Sequence, residues 1–123
     1  MIKWCFRFFL LSLLVLSLVF SLSPVSGSDP FMINDKLIHF LSYFALMTAL
    51  DFSFLSGRYL VVKIILILSY SIAIEIAQSF IPGRAMSAYD VLANATGVMA
   101  FIFILPLIKT QKFYQQVSHM QDS

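Results

Sequence analysis

The sequence predicts an all-α polytopic membrane protein, a small bundle of four transmembrane helices. Three observations predict it. The 123 residues are 60% hydrophobic and 11% charged, whereas soluble domains are nearer half apolar and a quarter charged. Mean hydropathy is +0.92. Four apolar stretches each approach the roughly 20 residues that a helix needs to cross a bilayer core. Breakers lie between the stretches: Gly27, Gly57 and Gly83, with Pro24, Pro30 and Pro82. Glycine and proline punctuate helices in this way.

The first stretch is 4–22. It follows Lys3 and includes Arg7, so it reads either as a signal anchor or as a signal peptide. In the second case Val25, Ser26 and Gly27 supply a small-residue cleavage site. Both readings place Ser28 outside. The second stretch is 37–55, the third 61–81 and the fourth 91–108, with Gly97 and Pro106 inside the last. The expected division is an N-terminal segment over 1–27, a transmembrane core over 28–108 and a cytoplasmic tail over 109–123. The tail reads as amphipathic or disordered, with Lys109 and Lys112 near anionic lipid.

Orientation follows the distribution of Lys and Arg. With the N-terminus inside, Lys3, Arg7, Arg58, Lys63, Lys109 and Lys112 are cytoplasmic, and only Lys36 and Arg84 are external. Both termini are therefore expected inside, in a bacterial cytoplasmic membrane. Asp51, Arg58 and Lys63 read as anchors at the inner interface.

The sequence also excludes several function classes. A single cysteine, Cys5, leaves no Fe–S cluster, zinc ribbon or disulfide framework within the chain. A formal charge of +2 is too small to indicate nucleic acid. No nucleotide-binding or H-E-x-x-H pattern occurs. No cofactor is expected. The mixed set of His39 with Asp35, Glu75 and Asp90 could ligate a metal, but it has no diagnostic spacing, so no metal site is expected either.

The polar residues within the apolar stretches converge. At about 1.5 Å of rise per residue, Tyr43 lies about 9 Å below Leu37 and Glu75 about 9 Å below Ile81. Asp90 and Asn94 open the fourth stretch. Asp35, His39 and Tyr43 recur at i, i+4 and i+8, on one stripe of a helix. Glu75 and Gln78 form an i, i+3 pair. Asp90, Asn94 and Gly97 recur at i, i+4 and i+7. Hydrocarbon cannot solvate such groups, so the three stripes should face one another in the outer leaflet.

Further expectations concern packing. Ser69, Ala73 and Ala77 form a small-residue row that should pack closely against a neighbour and make the third helix central. Ala93 and Gly97 form a second close-approach pair. Ser87 and Asp90 have capping-box spacing. Pro82 and Gly83 should end the third helix and hold Arg84 over the outer mouth.

These residues match a family pattern. The segments DKLIHFLSYFAL (Asp35–Leu46) and IEIAQSFIPGRAMSAYDVLANATG (Ile74–Gly97) resemble the VanZ-like membrane proteins. The pattern D-K-x-x-H-x-x-x-Y is met by Asp35, Lys36, His39 and Tyr43. The pattern E-x-x-Q-x-x-x-x-x-R-x-x-S-x-x-D is met by Glu75, Gln78, Arg84, Ser87 and Asp90. Asn94 and Gly97 complete it. One departure is Phe101, where members often carry a further glycine. The family takes its name from a protein linked to resistance to the glycopeptide teicoplanin, so the resemblance implies a role in the cell envelope and in antibiotic resistance.

Two functions are carried forward. In the first, a polar cleft handles an anionic lipid or lipid-linked cell-wall intermediate. His39, Glu75 and Asp90 are then the candidate catalytic residues. Asp35, Lys36, Tyr43, Gln78, Arg84, Ser87 and Asn94 are the candidate substrate-binding residues. In the second, the same polar core is a non-catalytic device that fixes helix packing and presents a surface to an envelope partner.

Overall fold

The computed structural model describes residues 1–23 and 35–122. They form five α-helices and one 3-10 turn, with no strand among the described residues. Helix α1 spans Ile2–Leu22, α2 Asp35–Ser53, α3 Leu60–Gln78, α4 Ala88–Lys109 and α5 Lys112–Asp122. The 3-10 turn Gly57–Tyr59 leads into α3. The expected breakers Pro24, Gly27 and Pro30, the cleavage motif at 25–27 and Ser28 all lie outside the described residues.

Among the described residues three helices are long and apolar enough to cross a membrane: α1, α3 with its preceding turn (Gly57–Gln78), and α4. Helix α2 is not among them. Asp35, Lys36 and His39 at one end and Asp51 at the other dilute its hydropathy. Among the described residues three helices thus meet the length and apolarity of a membrane span, where the sequence predicts four.

Helix α2 is nevertheless the best-packed element. It touches α1, α3 and α4, and its closest partner is α4. The expectation of a central third helix is corrected on this point. The reason lies at Gly97, where a Cβ would overlap the backbone carbonyl oxygen of Phe40 and stand 3.0 Å from the Phe44 nitrogen. Only a glycine lets the two backbones approach so closely. Below this contact Phe101 is fully buried and meets Phe44 edge to face at 6.2 Å. Tyr43, Leu46, Met47, Leu50, Ile67, Val98 and Leu105 complete the core around it.

The small-residue row on α3 does not pack. Ser69 and Ala73 are exposed and Ala77 is half-buried. The opposite face turns inward, with Lys63, Ile67, Ser71, Ile74, Glu75 and Gln78 all buried. Lipid accepts an alanine face readily but cannot hydrogen-bond a carboxylate or amide. Polar need therefore decides the rotation of α3.

The turn into α4 follows the sequence in part. Gly83 takes a positive φ of 83°, a conformation that suits glycine. Ser87 is the N-cap of α4, yet its side chain makes no capping bond. Nor does Asp90 close the expected capping box. Glu75 of α3 instead accepts the Ser87 backbone N–H through Oε2 at 3.2 Å. A carboxylate from another helix does what a glutamate three residues into α4 would ordinarily do.

The tail is helical and docked. Tyr114 and Val117 of α5 are buried. Gln121 donates to the Phe52 carbonyl at 2.7 Å and accepts the Leu55 N–H at 3.2 Å. These bonds satisfy backbone groups left over where α2 ends.

Candidate functional site

The polar stripes of α2, α3 and α4 meet, and Asn94 is their junction. It is buried to 1% exposure on α4. Its Oδ1 accepts a hydrogen bond from His39 Nδ1 on α2 at 2.9 Å. Its Nδ2 donates to Ser71 Oγ on α3 at 2.7 Å. One amide thus joins three helices and uses both of its ends. Ser71 was not singled out from the sequence. Its signal was present, four residues before Glu75 on the same helical stripe.

Above Asn94 lies a charged layer. Lys36 Nζ is paired with Asp90 Oδ1 and lies 3.5 Å from Asp35 Oδ2. His39 Nε2 lies 3.8 Å from Asp35 Oδ1 and 3.7 Å from Asp90 Oδ2. Asp35 is exposed, His39 half-buried and Asp90 buried. The i, i+4 spacing of Asp35 and His39 puts both over the start of α4, which carries Asp90.

Glu75 is fully buried. It makes no hydrogen bond to His39, Tyr43, Gln78 or Asn94. Ser87 N–H occupies Oε2, and Oε1 has no hydrogen-bond partner among the described residues. Its ionisable neighbours are Asp90, His39 and Lys36. Tyr43 is also buried, with its ring 6.4 Å from that of Tyr70.

Gln78 and Arg84 reach a different target. Gln78 Nε2 donates to the Ser21 carbonyl at 2.8 Å. Arg84 Nε donates to the Ser23 carbonyl at 3.0 Å. Both act on the C-terminal end of α1, whose last carbonyls have no intrahelical partner and whose dipole favours a cation. Tyr70 adds a third tie, donating to the Leu14 carbonyl at 2.8 Å. Helix α1 is thus a wall of the site, a role that its apolar sequence did not reveal.

Between α1 and α2 lies a cavity of about 410 Å³. Leu13, Leu16, Phe20, Ile38 and Leu46 supply its apolar walls, and Asp35, His39, Gln78 and Arg84 its polar end.

A second polar network lies toward the other ends of the helices. Lys63 Nζ donates to Asp51 Oδ1 at 2.6 Å, and both side chains are nearly fully buried. Tyr114 donates to Asp51 Oδ2 at 3.0 Å. Asp51 and Lys63 are therefore an internal ion pair and not the interface anchors expected from the sequence.

Comparison with known proteins supports the family resemblance. The family model described as VanZ/LLP1 matches residues 6–109. The chain belongs to the VanZ/LLP1 family. The match begins inside α1 and ends with α4, so the VanZ/LLP1 region takes in the wall helix together with the charged layer. Helix α5 lies beyond it. No curated protein and no solved structure matches the chain.

Proposed function

We propose that this VanZ/LLP1 protein is a four-helix protein of the bacterial cytoplasmic membrane, with both termini inside. Its cavity takes an anionic amphiphile, a lipid or lipid-linked cell-envelope intermediate, from the outer leaflet. The observation that carries this reading is the two-part lining of the cavity. Leucine, isoleucine and phenylalanine walls suit a hydrocarbon chain, while Arg84 and His39 stand at the end where a head group would lie. Ligand sites of this kind pair apolar walls with a few convergent polar groups.

Arg84 and Lys36 supply positive charge for the anion, and Asp35, Tyr43, Gln78, Ser87 and Asn94 shape the site. His39, Glu75 and Asp90 are the groups able to move protons. Glu75 suits such work, being a buried carboxyl group with one oxygen uncommitted among the described residues. Retention of α1 as an anchor follows from the same reading, since Leu13, Leu16, Ser17, Phe20 and Ser21 would leave the cavity with it.

A second reading is favoured by Gln78 and Arg84, both of which donate to α1 carbonyls. In that reading the polar core only fixes helix packing and presents a partner surface.

One experiment separates them. The protein in nanodiscs is exposed to a photoreactive lipid phosphate, and teicoplanin tolerance is measured on overexpression. Glu75→Gln preserves shape and the Ser87 bond but removes the charge. The ligand reading expects Leu16 and Ile38 to crosslink, Arg84→Ala to reduce crosslinking, and Glu75→Gln to lose tolerance at normal protein level. Full tolerance in Glu75→Gln together with no crosslink in the cavity would leave the packing role alone.

A further inference from the structure

The charged layer holds the donor set of a metal site. Asp35, His39 and Asp90 each offer one ligand atom, and these atoms lie within 4.8 Å of one another. They come from two helices that Gly97 brings into backbone contact. We propose that Asp35, His39 and Asp90 bind a divalent cation, Zn2+ by ligand type, and that Lys36 is the tethered cation it displaces.

Four observations support this. His39 Nδ1 donates to Asn94 Oδ1, and the Asn94 amide is oriented by its bond to Ser71. That leaves Nε2 as the nitrogen turned to both carboxylates. Metal-binding histidines ordinarily donate the other ring N–H to an oxygen acceptor in this manner. Lys36 already places a positive charge between Asp35 and Asp90, which marks where the field of the site seeks a cation. Its ammonium sits on a flexible stem and its side chain is 43% exposed, so it can swing aside. Outside the cluster, Glu75 adds a third carboxyl group, fully buried, with Oε1 unpartnered among the described residues and with Asp90, His39 and Lys36 as ionisable neighbours. The two carboxylates of Asp35 and Asp90 balance the charge of one dication. An imidazole with carboxylates suits Zn2+ over Mg2+, and three protein ligands leave a coordination position open to a ligand.

This inference deepens the reading of the same cavity, because the cation would lie at the polar end where His39 and Asp35 line it. Lys36, once displaced, becomes available to an anionic head group.

The test is equilibrium dialysis of the untagged full chain in detergent against Zn2+, with Cys5→Ser throughout to remove the exposed thiol. Bound metal is counted by mass spectrometry. One Zn2+ per chain is expected, with Mg2+ failing to compete. His39→Gln and Asp90→Asn should each weaken binding by at least about tenfold, and Asn94→Ala by about 10–100-fold. Lys36→Met should tighten it by about tenfold, since the competing ammonium is gone. Lys36 is not a ligand, so this variant decides the matter even if a ligand variant fails to fold. Absence of stoichiometric Zn2+ in Lys36→Met, or binding undiminished in a folded His39→Gln, would overturn the site. Lipid crosslinking in the cavity without Zn2+ binding would sink the metal and leave the amphiphile reading standing. Zn2+ binding without crosslinking would do the reverse.

Discussion

Gly97 of α4 lies directly against the Phe40 carbonyl of α2, with no room between them for a single carbon. The contact sets the distance between the two helices that carry Asp35, His39, Asp90 and Asn94. Gly97→Ala should therefore lower stability by about 1–3 kcal/mol through overpacking, read as a fall in the thermal midpoint in detergent. Ala73→Leu, on the exposed face of α3, should leave the midpoint within error. A larger loss from Ala73→Leu than from Gly97→Ala would mean that the α3 row, and not the α2–α4 contact, is the close interface.

The buried pair Asp51–Lys63 should behave asymmetrically. Removing one partner strands a charge of the other inside the bundle. Asp51→Ala is expected to cost about 3–5 kcal/mol. The double change Asp51→Leu with Lys63→Met should recover most of that loss, because an apolar replacement of a buried ion pair is often neutral or better. Thermal unfolding of the single and double variants checks this, and additive losses would contradict it.

Tyr114 gives α5 a pH-dependent hold. Burial, reinforced by the neighbouring Asp51 charge, pushes its hydroxyl well above the ordinary value near 10. The folded state keeps this proton more tightly than the unfolded one. The contribution is complete below pH 10 and falls as pH rises above it. Alkaline titration of stability should fall more steeply for wild type than for Tyr114→Phe, and the two curves should converge at high pH. Parallel curves would show that Tyr114 does not ionise differently on unfolding.

The proposed orientation puts Ala85 outside and Lys112 inside. Lys63 contributes nothing to that bias as an anchor, because Asp51 neutralises it inside the bundle. In a Cys5→Ser background, Ala85→Cys should react with an impermeant thiol reagent in intact cells, and Lys112→Cys only after lysis. The opposite pattern would invert the topology.

The sequence by itself determined the all-helical class, the approximate helix limits and the end of the helices at which His39, Asp90 and Asn94 collect. Those properties rest on local periodicity and on the price of a charge in hydrocarbon, both of which are visible along a single chain. His39, Asp90 and Asn94 came together as their spacing required, since a four-residue repeat keeps side chains on one face whatever the neighbours are. Which face met which neighbour was decided only by the tertiary structure. Ser69, Ala73 and Ala77 carry a valid packing pattern, yet α3 turns them outward because Ser71, Glu75 and Gln78 have more to lose in lipid. Gln78 and Arg84 carry ligand-like chemistry, but their first partners are α1 carbonyls that no local pattern could place beside them. Asp51 and Lys63 stand twelve residues apart with a helix end between them, so only the chain reversal could reveal an ion pair. The Ser87 N–H shows the same principle at its smallest scale. Spacing nominated Asp90 to cap it, whereas the fold brought Glu75 from another helix and paired Asp90 with Lys36.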